Sequence, residues 1–375
     1  MNLTAIEQQI DALIRAPQYA LPQAEKDAQL TAILRALCPE IAARCAPYGR
    51  FLAHFGGDPG QWQTLADIPP LPVAMFKRML LSAVPPEKIV RELHSSTTSG
   101  QQPSRIAIDK STAFRQARAL ASILKEHIGG RRRPLLVLDA AESVAAGEQL
   151  TARGAAIRGI ANFASETVFA MRQMPSGELH ADWERVADFV DRHGEEAVLL
   201  FGFTFIVWSR FVLEAERRGH RFRLPQATLL HSGGWKQLAA QALSKEDFSQ
   251  RVGVVLGCPP EQVLDFYGMV EQVGTVLVDC AAGHKHAPAF ADVLIRRPYT
   301  LAPAAIGEPG IIELLSVLPT SYPGQALLSD DQGVLLGVDD CPCGRKGSYL
   351  RFVARIERAE LRGCGDIFAQ MRELR

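Results

Sequence analysis

The chain has 375 residues with 41 basic and 41 acidic side chains, so its formal charge is zero. This balance gives no electrostatic reason to expect a nucleic acid or an anionic membrane as partner. No apolar run reaches the roughly 20 residues that a membrane span needs, and the N-terminus lacks the basic start and apolar core of a signal peptide. The seven cysteines are odd in number and do not resemble a secreted disulfide framework. We therefore expect a cytoplasmic protein with reduced thiols and no membrane span.

The first part of the chain is expected to be helical, because apolar residues recur at helical spacing in two stretches: Ile6, Ile10, Leu13 and Ile14, then Leu30, Ile33, Leu34 and Leu37. From residue 94 onward, strands and helices alternate. Buried strands are predicted at 134–139, 197–201, 227–231 and 263–267. Ser111 or Thr112 is expected to cap a helix whose apolar face starts at Phe114.

After about residue 274, short strands with Gly/Pro turns dominate, among them 326–328 and 334–336. The alternation before this point predicts an α/β core with a largely parallel sheet. We expect four segments: a helical segment packed on the core (1–90), the α/β core (91–274), a smaller β-rich lobe (275–354) and a hinge-like tail (355–375).

A loop rich in hydroxyl groups precedes the first strand of the core. Ser95 to Ser99 are all serine or threonine, and Gly100 follows them. Hydroxyl side chains compete for nearby backbone groups and disfavour helices, and successive backbone amides can form a concave site for an anion such as phosphate. A solvated Ser/Thr-rich linker is the alternative. Ligands of parallel sheets bind at the carboxyl ends of strands, where the turns at Gly233-Gly234 and Gly268 are predicted to lie.

Four motifs occur in a fixed order along the chain: the hydroxyl loop, Tyr267-Gly268-Met269-Val270-Glu271, Ser329-Asp330-Asp331, and Arg355. Together they resemble the adenylate-forming superfamily of ligases. The resemblance implies that ATP phosphates bind Thr97, Thr98, Ser99 and Gly100, that Tyr267 and Gly268 line the nucleotide, that Glu271 reaches Mg²⁺, and that Asp331 and Arg355 contact the ribose. We add Gly233 and Gly234 to the predicted nucleotide site.

The chain departs from that superfamily in one respect. Typical members carry a mobile C-terminal domain with a lysine that contacts the acyl carboxylate and α-phosphate, whereas no lysine follows Lys346 here. We therefore expect the large-domain fold of adenylate-forming enzymes without the usual mobile domain. The candidates for the missing charge are Lys77, Arg105, Lys110 and Lys236. Lys236 is favoured because it follows the glycine turn; a solvated surface charge is the alternative for each.

One short branch of the superfamily fits better. The chain resembles a LuxE-type acyl-protein synthetase from about residue 68 to 366, through Leu71-Pro72 with Phe76-Lys77, Thr98-Ser99-Gly100 with Ser104 and Asp109, Phe201-Gly202-Phe203, Ser232-Gly233-Gly234-Trp235-Lys236, His284-Lys285-His286-Ala287-Pro288, Thr320-Ser321-Tyr322-Pro323 and Arg362-Gly363-Cys364. In that family a C-terminal cysteine captures the acyl group before a partner reductase takes it. Cys364 occupies the matching place. Nearby Arg362 favours a thiolate, and two flanking glycines leave its sulfur accessible; a packing cysteine in a tail turn is the alternative.

Other cysteines suggest a metal site. Cys280, His286, Cys341 and Cys343 would supply three thiolates and one imidazole, a closed set of the structural-zinc type. His284 competes for the nitrogen position, and unrelated cysteines in turns are the alternative.

The resemblance implies an enzyme that uses ATP and Mg²⁺ to activate a carboxylic acid, fatty or aryl, and passes the acyl group through Cys364 to an acyl-CoA-reductase-like protein. Glu271 and Lys236 would assist the activation step. Two alternatives stay open: a phenylacetate-CoA-ligase-like enzyme and a non-catalytic nucleotide-binding subunit. The aromatic segment 201–208 is predicted either to line an acyl tunnel or to be core. A homo-oligomer also stays open.

Overall fold

A computed structural model describes residues 3–95, 103–144, 152–235 and 242–356. Its α-helices are α1 Leu3–Arg15, α2 Gln23–Arg44, α3 Ala46–Phe55, α4 Met75–Arg78, α5 Lys110–Ile128, α6 Ala152–Ala161, α7 Trp183–His193, α8 Thr204–Ile206, α9 Leu213–Arg218 and α10 Lys245–Leu256. Its strands are β1 Leu71–Pro72, β2 Ile89–His94, β3 Arg105–Asp109, β4 Arg133–Ala140, β5 Ala164–Gln173, β6 Leu179–Ala181, β7 Leu199–Phe203, β8 Thr228–Ser232, β9 Val263–Gly268, β10 Val276–Val278, β11 Lys285–His286, β12 Ala291–Arg296, β13 Pro309–Ser316, β14 Ala326–Val338 and β15 Ser348–Arg355.

The chain divides into two compact units. One is His127–Gly268, and the other joins Met1–Glu126 to Met269–Arg375. None of the helices in the described ranges is both long and apolar enough to cross a membrane.

The unit His127–Gly268 is built on a mainly parallel sheet. Its strand order is β9-β8-β7-β4-β5-β6, and all neighbours are parallel except β5 and β6. The four strands predicted for the core correspond to β4, β7, β8 and β9, which confirms the α/β parallel-sheet prediction. The sequence pattern did not indicate β5, because polar and apolar residues alternate imperfectly along it and several of its side chains are exposed. Phe201, Val207 and Trp208 are buried hydrophobic residues, so that part of the aromatic segment is core.

The other unit contains an antiparallel sheet of order β11-β15-β14-β13-β12, to whose strand β14 the short β1 pairs in parallel. The two strands predicted at 326–328 and 334–336 are one continuous strand, β14. Register shifts after Gln332 and after Leu335 let β14 bend while it stays paired with β15. The apolar stripes predicted for the first two helices are confirmed, since Ile6, Ile10, Leu30 and Leu34 have no exposed surface.

The start of α5 differs from the prediction. The amide of Thr112 donates to Asp109 Oδ1 at 2.8 Å, so Asp109, and not Ser111 or Thr112, caps this helix. Helix geometry already begins at Lys110. The inward face also differs from the prediction: Phe114 is 63% exposed, while Arg115 and Gln116 are buried. These two polar side chains face inward because Arg115 donates to Thr320 Oγ1 at 3.0 Å and Gln116 donates to the Tyr322 hydroxyl at 3.3 Å.

Candidate active site and metal cluster

A short strap at residues 71–78 carries a lysine to the middle of β14. Leu71 and Pro72 pair in parallel with Leu327 and Leu328, and the amide of Val73 donates to the Leu328 carbonyl at 3.0 Å. The strap then turns into α4. As a result Lys77 Nζ lies 3.3 Å from Asp330 Oδ2. Both side chains are half-buried, so part of this ion pair is accessible to solvent.

Glu271 lies in a short 3₁₀ turn, Val270–Gln272. Its neighbour Gln272 anchors the turn, because its side-chain amide donates to the carbonyls of Leu314 at 3.0 Å and Gly324 at 2.8 Å. Glu271 itself is 6% exposed. Burial raises the pKa of its carboxyl group, and Ser104 and Lys77 partly offset that rise. A buried carboxylate of this kind gains from a nearby cation, so the residues present fit the predicted Mg²⁺ role.

The two residues predicted to contact a ribose come together on adjacent strands. Asp331 on β14 and Arg355 on β15 are direct partners in the antiparallel ladder. Opposite residues of such a pair present their side chains on the same face. The backbone around them is fixed, since the Asp331 amide donates to Ser329 Oγ at 3.1 Å and the Ile356 amide donates to the Asp330 carbonyl at 2.9 Å.

The remaining predicted nucleotide residues that the structure describes lie at the carboxyl ends of β8 and β9. Gly233 has a φ of +84°, a left-handed conformation that favours glycine. Ser232 Oγ donates to the carbonyl of Phe266 at 2.7 Å and ties the turn to β9. Tyr267 is buried and Gly268 is exposed at the end of that strand. These residues therefore lie where ligands of parallel sheets are expected to bind.

Several predictions fall outside the described residues: Thr97, Thr98, Ser99, Gly100, Lys236 and Cys364. The two ends of the hydroxyl loop are described. The Ser95 amide donates to the Ser104 carbonyl at 3.2 Å, and the Ser104 amide donates to Ser95 Oγ at 2.8 Å. The loop is thus closed at its base by two hydrogen bonds.

Three of the four candidate cations can be placed. Arg105 is paired with Glu92, with Nε 2.7 Å from Oε1, and Lys110 is exposed at the start of α5. Lys77 alone among these three forms its ion pair with a carboxylate next to Asp331. Lys236 is favoured in the sequence because it follows the glycine turn, whereas Lys77 is positioned by the pairing of β1 with β14, which joins residues far apart in the chain. Phe76-Lys77 stands among the motifs quoted from the sequence. A motif does not show, however, that the nearby residues Leu71 and Pro72 pair with β14.

The predicted metal ligands converge from two hairpin turns. Cys280 and His286 flank the turn between β10 and β11, and Cys341 and Cys343 lie in the connection from β14 to β15. Strand β11 pairs with β15, so that His286 stands opposite Tyr349. This pairing closes the long sequence gap between the two halves.

The ligand atoms of Cys280, His286, Cys341 and Cys343 all lie within 4.8 Å of one another. The sulfurs of Cys280 and Cys341 are 3.8 Å apart, and Cys343 Sγ is 3.4 Å from His286 Nε2. Zinc–sulfur bonds of about 2.3 Å in a tetrahedron give sulfur–sulfur edges of about 3.8 Å. The donor set and spacing therefore fit a zinc ion.

His284 stays close to the same cluster. Its Nδ1 lies 3.3 Å from Cys341 Sγ, and the rings of His284 and His286 both stack on Tyr349, at centroid distances of 5.1 and 5.3 Å. Cys38 and Cys45, by contrast, are buried among the N-terminal helices. Burial raises the pKa of the Cys38 thiol to about 12, which makes it a poor nucleophile.

Comparison with solved structures supports the fold. The chain is similar to 2-hydroxyisobutyryl-CoA ligase in the postadenylation state with 2-HIB-AMP, with a TM-score of 0.66 and 18% identity over 90% of this chain and 69% of that chain. An open conformation of that ligase with 2-HIB-AMP and CoA gives a TM-score of 0.65 and 19% identity over 91% of this chain and 77% of that one. At this identity the likeness concerns the fold alone, and it confirms the predicted adenylate-forming enzyme fold.

Sequence comparison leads to the family. The chain is 26% identical over 137 residues to the long-chain-fatty-acid–luciferin-component ligase of Aliivibrio fischeri, covering 36% of this chain and 35% of that protein. It is 25% identical over 143 residues to the ligase of the same name from Vibrio harveyi, covering 38% and 36%. The matched stretch thus spans about a third of the length of each relative. The family model of the acyl-protein synthetase LuxE matches residues 1–372, nearly the whole sequence. The chain belongs to the LuxE family of acyl-protein synthetases.

Proposed function

We propose that the protein activates a carboxylic acid, preferably a fatty acid, with ATP and transfers the acyl group to its own Cys364. In the first step the carboxylate attacks the α-phosphorus, the bond to pyrophosphate breaks, and acyl-AMP forms. In the second step the Cys364 thiolate attacks the acyl carbonyl carbon, and AMP leaves. An acyl-CoA-reductase-like partner then receives the acyl group.

The observation that carries this proposal is the pairing of Asp331 with Arg355 beside the Lys77–Asp330 ion pair. A carboxylate and a guanidinium on one face suit ribose hydroxyls, because the carboxylate accepts and the guanidinium donates hydrogen bonds. Lys77 adds a positive charge within reach of the same strand. We assign Lys77 to charge stabilisation on the reacting phosphates, and Lys236 keeps its predicted role in the same step.

Glu271 would hold Mg²⁺, which supplies positive charge to the ATP phosphates when bound. The chain's own contribution is the position of this carboxylate. It lies on a turn that Gln272 fixes to two backbone carbonyls, so its orientation is set before any ligand arrives. The hydroxyl loop, with its base closed between Ser95 and Ser104, would supply further donors to the phosphates.

We also propose a structural zinc ion held by Cys280, His286, Cys341 and Cys343. The support is the fit of the distances and donor types to a tetrahedral site. Four protein ligands leave no open position, so the ion would stabilise the β-rich lobe and take no part in the acyl chemistry. Metal analysis of protein purified without chelator tests this assignment: one zinc per chain is expected, and a metal-free, stable protein would contradict it.

The enzymatic proposal is tested by incubating the protein with ATP, Mg²⁺ and a panel of fatty and aryl acids. We expect acid-dependent exchange of labelled pyrophosphate into ATP, greatest with a fatty acid. Exchange accompanied by free acyl-CoA when CoA is added, with no acyl group on the protein, would instead identify an acid–CoA ligase. Absence of exchange with every acid, while ATP still binds, would identify a non-catalytic nucleotide-binding subunit.

A further inference from the structure

Three polar side chains, those of Thr204, His231 and Asp265, lie near the carboxyl ends of the parallel strands and close to several aromatic rings. We call them the polar trio. His231 on β8 is 5% exposed and Thr204, which follows β7, is 6% exposed. His231 Nδ1 lies 3.0 Å from Thr204 Oγ1 and 3.8 Å from Asp265 Oδ1. The nucleotide and metal residues assigned above do not include any of these three side chains.

Strand register explains why the trio assembles. His231 is the ladder partner of Asp265 on β9 and of Gly202 on β7. Partners on parallel strands present their side chains on the same face, which brings the imidazole and the carboxylate together. At the β7 position a glycine is required for space, since a Cβ on Gly202 would lie 2.6 Å from Val207 Cγ2. The chain can therefore turn sharply after β7 and deliver Thr204 over His231.

The segment after Thr204 has an uncommon conformation. Residues Val207–Val212 form a π-helix, a geometry that is rare and concentrated at functional sites. Trp208 in this segment lies 5.9 Å from Trp235 and 6.1 Å from Phe248 between ring centroids. The Arg251 guanidinium lies over the Trp208 ring, 4.3 Å from its centroid.

The glycine turn that follows β8 is held at both of its ends by the same phenyl ring. The His231 ring lies 4.8 Å from Phe248, and the Trp235 ring lies 5.9 Å from it. Between these two anchors run Ser232, Gly233 and Gly234. Glycines cost conformational entropy to fix, so a turn with two of them keeps one geometry only if its ends are anchored.

The hydrogen-bond chemistry sets the imidazole's orientation. His231 Nδ1 and Thr204 Oγ1, 3.0 Å apart, share one hydrogen bond, in which either group can be the donor. Asp265 Oδ1, 3.8 Å from the same nitrogen, is too far for a direct hydrogen bond but places a carboxylate on that side of the ring. The bond to Thr204 therefore holds the ring next to the backbone that leads into the turn.

We propose that His231 is a positioning residue that fixes the Gly233-Gly234 turn through Thr204 and Asp265, so that the turn receives the nucleotide in one geometry. The nucleotide as ligand rests on the proposed function; the control of the turn by His231 does not.

The variants are chosen to distinguish a positioning role of His231 from a packing role. Thr204→Val removes the hydroxyl contact of His231. Thr228→Val is the matched control, since Thr228 is 3% exposed, lies at the opposite end of the same strand β8, and donates its hydroxyl to Gln262 at 2.9 Å. His231→Asn keeps a polar atom near the Nδ1 position, whereas His231→Gln moves it toward the Nε2 position.

Two measurements on the full-length protein test the proposal: the dissociation constant of ATP without acid, and the NMR amide shifts of Gly233 and Gly234 without ligand. We expect Thr204→Val and Thr228→Val to lower the unfolding midpoint similarly. Only Thr204→Val and His231→Gln should shift the two glycine amides and weaken ATP binding by about 10-fold, the factor of one lost hydrogen bond. His231→Asn should stay close to wild type in both.

The results that would overturn the proposal are equally specific. Glycine amide shifts in Thr204→Val no different from those in Thr228→Val would show that the trio does not control the turn. His231→Asn equal to His231→Gln would show a packing role only. If the wild type does not bind ATP, the proposed function fails, and the amide shifts still decide the role of His231.

Discussion

Asp331 and Arg355 are direct partners across strands β14 and β15, although the sequence separates them by an entire hairpin. The hairpin that joins them also carries Cys341 and Cys343 at its far end. One pair of strands therefore holds two predicted sites, the ribose contact near one end and the metal ligands near the other.

Arg355→Ala should weaken ATP binding by about 10-fold, because one charge-assisted contact to the ribose is lost. Asp331→Ala should do the same, and the double variant should lose less than the product of the two effects, since both residues act on one group. Isothermal titration measures this directly. Arg351→Ala is the control, because Arg351 is an exposed arginine on the same strand. Equal losses in Arg351→Ala and Arg355→Ala would show a general charge effect.

Lys77→Met should lower kcat of pyrophosphate exchange on the order of 10²-fold, because it removes a positive charge from the site of growing phosphate charge. The dissociation constant of ATP should change much less. Lys88→Met, an exposed lysine beyond the strap, serves as the control and should match wild type. A kcat of Lys77→Met within twofold of wild type would remove Lys77 from the proposed site.

The pH profile of the exchange reaction should have an acid limb, a loss of activity at low pH, that depends on Glu271. Burial raises the pKa of this carboxyl group, and only its ionised form binds Mg²⁺ well. Activity should therefore fall as pH drops, with a midpoint above that of an ordinary carboxyl group, and higher Mg²⁺ should move the midpoint to lower pH. Glu271→Gln should abolish the Mg²⁺ dependence of the limb along with most of the activity, while Glu87→Gln, at an exposed site, should change neither. If higher Mg²⁺ did not shift the pH midpoint of the wild-type activity, this role of Glu271 would be contradicted.

Cys341→Ser should release zinc and lower the free energy of unfolding by about 3 kcal/mol or more, because metal binding contributes directly to folding at such sites. Metal content and chemical denaturation are measured on the same samples. The control is Cys258→Ser, since Cys258 is a buried free cysteine in the unit His127–Gly268. A loss in Cys258→Ser as large as that in Cys341→Ser would attribute the effect to burial of a hydroxyl group.

Asp27 makes stability depend on pH in helix α2. Burial, and then the charge of Asp292, raise the pKa of Asp27 to about 6. A carboxyl group whose pKa is raised on folding contributes stability below its unfolded pKa and loses it as pH rises through the folded value. Because Asp27 is partly exposed, solvent screening reduces the energy that this shift represents, and Asp27→Asn should be only about 1 kcal/mol more stable than wild type at pH 8, with no advantage at pH 4. Denaturation at both pH values tests this, with the exposed Glu25→Gln as control; an equal gain at both would contradict it.

Local patterns predicted much of this fold. The stripe through Ile6 and Ile10 and the apolar runs of β4 and β8 are signals that neighbouring residues carry themselves, and the structure confirms them. Predictions failed where a distant partner decides the outcome. Asp109, not Ser111, caps α5. The strands predicted on either side of Ser329 are one strand, because β13 pairs with β14 residues on both sides of it, from Ala326 to Val334.

The same distinction applies to the candidate sites. The metal cluster could be predicted because thiolates and imidazoles are uncommon and chemically specific, even across the gap from Cys280 to Cys341. The position of Lys77 could not, because nothing in residues 71–78 states that they pair with β14. His231 was not identified at all, since a histidine before a glycine turn shows neither its burial nor its contact with Thr204.

The acyl group on Cys364 gives the most direct test of the central claim. The full-length protein is incubated with ATP, Mg²⁺ and a fatty acid, and intact and peptide masses are recorded before and after hydroxylamine. We predict one acyl group per chain on the peptide containing Cys364, removed by hydroxylamine, absent in Cys364→Ser and retained in Cys258→Ser. Acid-dependent pyrophosphate exchange with no acyl group on Cys364 would contradict the account.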